Sequence, residues 1–169
     1  MLVQQIKSEH GIDVKVYKDY DKMLEDKNID IIDICTPHPF HPEQTIKAAN
    51  AGKDLIIEKP IGIDFEQTVK MLEAVEKNKV KTSVCFEVRF MGITKAMESI
   101  IKEGLIGDIY YTECDYYHGI GPWYGQFAWN VKKDMGGSSL LTAGCHALDA
   151  MLHLVGKEVD EVYTYSTMN

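Results

Sequence analysis

The chain has 169 residues, 45% of them apolar, and a formal net charge of -8 at neutral pH. That length and composition exclude a disordered chain and leave room for one domain with a real core, or for parts of two. The negative charge repels a phosphate backbone and no basic run reverses it locally, so no nucleic-acid partner is expected.

Leu2 to His10 has a polar helical pattern, with Gly11 as its stop. It is no leader peptide, because it holds no long apolar run. Val14 to Tyr17 suits a short strand, and Asp19 to Asp26 a short helix with Asp19 as its N-cap. Asp30 to Thr36 is almost continuously apolar and is expected as a strand buried on both faces. Pro37, Pro39 and Pro42 then force a loop, and Pro42 suits the first turn of a helix running to Ala51 and stopping at Gly52. Asp54 to Glu58 forms another buried strand, closed by Lys59 and Pro60. Asp64 opens a helix with Gln67 three residues on, as in a capping box. Phe65, Val69, Leu72 and Val75 fall close to one face of it. Lys81 to Val88 is a further strand.

This alternation specifies a mainly parallel α/β sheet with crossover helices, whose ligands sit beyond the carboxyl ends of the strands. Thr36, Glu58 and Arg89 all lie at or just past such ends. The second half differs. Ile93 to Lys102 is helical and closed by Gly104, and Ile109 to Tyr117 is a long aromatic strand. Gly119 to Gly137 is a loop, Ser138 to Val155 an apolar helix, and Val159 to Tyr165 an alternating strand. A second, α+β unit is expected, so the chain divides into residues 1–88 and 89–169. Cys35, Cys85, Cys114 and Cys145 form no C-x-x-C pair and are expected as free thiols in a reducing compartment. No stretch approaches the roughly 20 apolar residues that cross a bilayer. A soluble cytoplasmic protein with no membrane partner is the expectation.

Three segments carry groups capable of chemistry. Thr36, Pro37, His38 and His41 share a loop after a buried strand, which is either a rigid proline loop or a ligand contact. No cysteine or carboxylate completes a metal-ligand set with His38 and His41, so no metal is expected. Lys59, between Glu58 and Pro60 at a strand's carboxyl end, is either a surface lysine at a turn or a proton-exchanging group in the ligand crevice. Gly136 to Asp149 places Thr142, His146 and Asp149 at spacings that suit one helical face. His146 is there either a hydrogen-bonded core histidine or a proton carrier. Gly119 to Gly125 faintly imitates a phosphate loop. However, Pro122 and Trp123 stand where backbone N–H groups would be needed, and no βαβ unit surrounds it.

Taken in order, Tyr17-Lys18-Asp19-Tyr20 with Met23-Leu24, Ile29 to Pro37 with His41, Ala51-Gly52-Lys53 running to Glu58-Lys59-Pro60, Val88-Arg89-Phe90, Leu105 to Ile109, Trp129, and Gly136-Gly137 with the downstream G-x-H-x-x-D resemble the Gfo/Idh/MocA oxidoreductase family. The match covers nearly the whole chain. The resemblance implies a partial Rossmann-type parallel sheet followed by part of an open-faced α+β sheet domain. It implies an NAD(P)-dependent dehydrogenase acting on a sugar, cyclitol or related small molecule, with homo-oligomers formed through the second domain.

Residue by residue, Thr36, Pro37, His41, Glu58, Lys59 and Pro60 would hold the nicotinamide half of NAD or NADP. Lys59 and His146 would be catalytic, and Arg89, Trp129, Thr142 and Asp149 would line or buttress the substrate pocket. Many members carry an aspartate where this chain has Thr142, and a hydroxyl cannot act as a carboxylate base. Family members also begin with a strand, a G-x-G-x-x-G turn and a second strand with an acidic end, none of which is present. The chain is therefore expected to start after that unit and to stop inside the second domain. A rival expectation is an inactive fragment or a member that binds no cofactor; another is a non-redox member that uses tightly held NAD. Without the glycine turn, the pyrophosphate loses several charge-assisted bonds of about 1.5–3 kcal/mol each. Calorimetric titration of the 169-residue chain with NADH and NADPH should therefore show very weak binding. A micromolar dissociation constant would overturn the expectation.

Overall fold

The computed structural model describes residues 2–166. Three strands, β1 (Ile31–Ile34), β2 (Asp54–Ile57) and β3 (Thr82–Val84), pair in parallel in the order β1-β2-β3. Each crossover is helical, as parallel pairing requires. Helix α1 (Leu2–His10) ends at Gly11, whose φ of +68° places it in the left-handed region. Helix α2 (Tyr20–Leu24) is capped by Asp19, whose carboxylate accepts from the Asp21 and Lys22 amides. Helix α3 (His41–Asn50) joins β1 to β2 with Pro42 in its first turn, and α4 (Phe65–Asn78) joins β2 to β3 with Asp64 accepting from the Gln67 amide.

The core lies between one face of this sheet and the two crossover helices. Ile32, Ile34, Leu55 and Ile57 meet Ala48, Ala49, Met71 and Ala74 there. Small alanines let α3 approach the strands closely. The opposite face is open among the described residues: Ile31 is 55% exposed and Ile56 36%. The strand expected to be buried on both faces is thus buried on one, in strict alternation.

The same geometry corrects the reading of α4. Its inward stripe is Met71, Ala74 and the partly buried Val75, while Phe65, Val69 and Leu72 face outward. Periodicity locates an apolar stripe but not which of two adjacent stripes meets the sheet.

Three expected strands do not form ladders. Around Val14 to Tyr17, Lys15 and Tyr17 both turn to the Asp26 carboxylate. Among the described residues β1 has only β2 beside it. Ile109 to Tyr117 and Val159 to Tyr165 run near one another, with Lys157 Nζ 3.4 Å from the Ile109 carbonyl, yet neither has strand hydrogen bonds. Most of their aromatic rings stay in solvent, Tyr110 and Tyr165 almost wholly so. A strand exists only through a partner, and the described residues supply none.

β3 is also shorter than expected. It stops at Val84, and Glu87–Phe90 form a 3₁₀ turn that leads into α5 (Gly92–Lys102). The loop after Gly119 contains two single turns, α6 (Phe127–Asn130) and α7 (Lys133–Gly136). Gly136 packs so tightly on the Asn130 carbonyl that a Cβ would lie 1.8 Å from that oxygen. The last helix opens with a π-helical turn at Leu140–Gly144 before α8 (Cys145–Val155), which ends at Gly156.

The α4 face gives a direct test. Met71→Ala should cost about 2–5 kcal/mol, as buried truncations do. Leu72→Ala should stay within about 0.5 kcal/mol, as exposed ones do. Urea denaturation of both variants measures the contrast, and equal costs would place the wrong stripe inward.

Candidate active site

The carboxyl ends of β1 and β2 open into a cavity of about 350 Å³. The sheet half contributes Thr36, Pro37 and His38 from the loop after β1, and Glu58 and Lys59 from the end of β2. The opposite wall is Tyr124, Trp129, Asn130 and Thr142. A parallel sheet places ligands at this edge, because the chain must leave every strand there as a loop.

Lys59 spans the two walls. Its Nζ donates to the Thr142 carbonyl at 3.0 Å, and its backbone amide donates to Glu58 Oε2 at 3.1 Å. Thr142 lies inside the π-helical turn, a feature often found at functional sites because it displaces carbonyls from the α-helical ladder. The Thr142 hydroxyl is already committed, donating to the Gly136 carbonyl at 2.9 Å. Ser138 steadies the entry to this turn by accepting from the Leu141 amide.

His41 has a different place from the one the resemblance implied. It is fully buried, and its two ring nitrogens lie 2.9 Å from the Pro60 carbonyl and 2.6 Å from the Thr36 carbonyl. No polar atom of His41 is left for a cofactor. It instead ties the loop after β1 to the loop after β2 from behind. Pro60 is buried with it and does not line the cavity. Thr36 faces the opening from a bond to Gln44 Oε1 at 2.7 Å.

His38 sits between these layers. Its ring meets His41 and Trp129 edge-on, at 5.8 Å and 5.0 Å between centroids. Burial, helped by the neighbouring His41 and Lys59, pushes its pKa down from 6.5 to about 4, so it is neutral at pH 7.

Arg89 and Asp149 do not reach the cavity. The guanidinium donates through Nε to Asp149 Oδ2 at 2.8 Å and through Nη2 to Oδ1, a two-bond pair that fastens the turn after β3 to α8. They are buttress rather than wall. His146, one turn beyond Thr142, is buried beside Phe86, Tyr116 and Glu87 and is likewise not part of the cavity lining. Burial and then the Lys59 charge lower its pKa.

Sequence reasoning missed Tyr124, Gln126 and Asn130 as lining residues, and set His38 aside with the rejected metal set. Tyr124 lies in the glycine-bearing segment dismissed as a phosphate loop. The sole signal was proximity in sequence to Trp129. Among the described residues no group of three or more metal-ligating side chains converges. No described helix is long and apolar enough to cross a membrane.

A parallel α/β sheet with a lysine-bearing cleft at its carboxyl edge defines a Rossmann-type nucleotide-binding class. The family models agree. Residues 3–86 match the NAD-binding Rossmann-fold domain of the oxidoreductase family, and residues 94–169 match the GFO/IDH/MocA C-terminal domain. The chain belongs to the Gfo/Idh/MocA family.

It is 30% identical to D-glucoside 3-dehydrogenase of Escherichia coli over 90% of this chain and 43% of that protein. It superposes with a TM-score of 0.74 on myo-inositol 2-dehydrogenase of Lactobacillus plantarum, at 30% identity, covering 90% of this chain and 45% of that one. With a levoglucosan dehydrogenase in complex with NADH and levoglucosan the TM-score is 0.72 at 27% identity, over 92% and 42% of the two chains. The chain spans less than half the length of these relatives.

The His38 environment has a pH signature. Its folded pKa lies below the ordinary 6.5, so the unfolded chain binds the extra proton between pH 6.5 and about 4. Stability from this group is present above pH 6.5 and is lost as pH falls toward 4. The melting temperature should drop across that window, and His38→Gln should flatten the drop. An unchanged pH dependence in the variant would place the loss elsewhere.

Proposed function

We propose that this chain builds the nicotinamide-and-substrate side of an NAD(P)-dependent dehydrogenase that oxidises a secondary alcohol of a sugar or cyclitol, or reduces the matching carbonyl. The observation that carries the reading is Lys59, held across a polar cleft on the Thr142 carbonyl at 3.0 Å. The named relatives, dehydrogenases of glucosides, inositols and levoglucosan, support the substrate class.

In this reading Thr36, Pro37 and Glu58 flank the nicotinamide half of the cofactor. They suit that half, since they line one wall of a cavity of about 350 Å³ at the strand ends. When bound, the nicotinamide supplies the acceptor or donor of hydride. Lys59 holds the substrate oxygen by a charged hydrogen bond. Lys59 also exchanges the hydroxyl proton, and His146, one turn from Thr142 and behind the cavity lining, relays that proton onward. Trp129 gives the sugar ring an apolar wall, with Tyr124, Gln126 and Asn130 around it as hydrogen-bonding groups. Arg89 and Asp149 act indirectly, by fixing α8 against the turn after β3. Residues 1–88 form the dinucleotide-binding unit and residues 89–169 the substrate unit. The exposed aromatic segments Ile109 to Tyr117 and Val159 to Tyr165 are the surfaces for association between copies.

The rival reading is a chain that assembles this cleft but holds no cofactor. It draws on the absence, among the described residues, of a glycine-rich turn opening a helix after a strand.

One assay separates the two. The chain is given millimolar NAD+ or NADP+ with a panel of aldoses and cyclitols, and absorbance of the reduced nicotinamide is followed. Turnover should appear and should fall by roughly 10²-fold or more in Lys59→Ala, with circular dichroism unchanged. Absence of turnover across the panel supports the rival, and full activity in Lys59→Ala removes Lys59 from the chemistry.

A further inference from the structure

His146 is one of the most enclosed titratable groups of the second half, with its side chain 5% exposed. Its Nδ1 is buried without a partner, so Nε2 is the ring nitrogen through which a proton can come and go. A single carboxylate lies within ion-pair range of that nitrogen among the described residues. Glu87 Oε1 is 3.4 Å away, on the 3₁₀ turn after β3, with its own side chain 60% exposed.

The groups around His146 act in both directions. Lys59, at the end of β2, opposes a charged ring, as does burial itself. Glu87, Asp149 and Glu58 favour it. Asp149 is on the same helix but is already neutralised by its two bonds to Arg89. Glu58 is engaged with the Lys59 amide. Tyr116, from the segment before the glycine loop, stacks on the ring and brings no charge of its own near neutral pH. The neighbouring Cys145 thiol is pushed up by burial and stays neutral as well. That leaves Glu87 as the carboxylate free to compensate the imidazolium.

We propose that Glu87 is a positioning residue for the reaction, the counter-charge that allows buried His146 to carry a proton at Nε2. It supplies that negative charge from the turn after β3. The inference rests on the dehydrogenase reading only for its catalytic consequence, because the pairing itself is a property of the folded chain.

The test has two arms. In the first, the 169-residue chain is labelled with ¹⁵N-histidine and the ring signals are followed against pH. Six histidines are present, and the His146 signal is assigned by its loss in His146→Gln. Glu87→Gln should move the His146 titration to lower pH, and Glu87→Asp should restore most of it. A shape-preserving amide leaves a merely structural contact in place, so a structural role would not move this signal. An unchanged His146 titration in Glu87→Gln, with the fold intact, overturns the proposal.

In the second arm, kcat and KM are measured against pH in the alcohol-oxidising direction. The acid limb should move to lower pH in Glu87→Gln, and kcat should fall by roughly tenfold with KM little changed. A moved NMR titration in a chain without turnover would uphold the pairing and defeat the dehydrogenase reading. Turnover with an unmoved titration would uphold that reading and defeat the role of Glu87.

Discussion

The hydrogen bond from Lys59 Nζ to the Thr142 carbonyl joins residues 83 positions apart and closes the cleft. Its donor stands at the carboxyl end of a strand and its acceptor in a π-helical turn. Neither end is arbitrary. A parallel strand ends at the sheet edge where ligands collect. A π turn widens the helix by one residue and sets its carbonyls off the ordinary ladder. Bonds from a charged donor contribute about 1.5–3 kcal/mol, which matters where the two halves otherwise meet through a polar, partly open cavity.

His41 performs the corresponding task behind the cleft. Tying the Thr36 and Pro60 carbonyls to one buried ring holds the two strand-end loops at a fixed separation. Arg89 and Asp149 provide the third tie, from the turn after β3 to α8. Three polar ties from three successive strand ends therefore set the walls of the cleft. Side chains that look like ligand contacts in the sequence are in part the ties that place the contacts.

This division explains what could be read from the sequence. Buried runs, proline breaks and caps gave the three parallel strands and their crossovers, because those signals are local. Asp19 and Asp64 cap the helices they were expected to cap. The failures are all nonlocal. Whether Ile31 faces a covering layer depends on what lies on the far side of the sheet. Whether Phe65 or Met71 points inward depends on the angle at which α4 docks. Whether Ile109 to Tyr117 is a strand depends on a partner for its backbone. In the candidate site, Lys59 was legible because motif and strand end coincide, and Thr142 and Trp129 through the family resemblance. Glu87 and Asn130 were not, since nothing near them in sequence distinguishes them from ordinary polar residues.

Position 142 supports Lys59 through its main chain rather than through its side chain. What Lys59 requires from this helix is an acceptor oxygen, and it uses the main-chain carbonyl, which every residue type supplies. The threonine hydroxyl meanwhile bonds the Gly136 carbonyl, anchoring the π turn to the tight approach of Gly136 on Asn130. The lysine thus takes its support from the backbone, and the threonine side chain serves as an anchor. Among the described residues Glu87 is the carboxylate within ion-pair range of the His146 Nε2, at 3.4 Å. Because it reaches His146 from the sheet half, proton affinity at His146 depends on how α8 is held against the turn after β3. The Arg89–Asp149 pair sets that distance. Weakening the pair would loosen the Glu87–His146 contact without touching either residue, so the electrostatics of the helix and the mechanics of its attachment are one constraint.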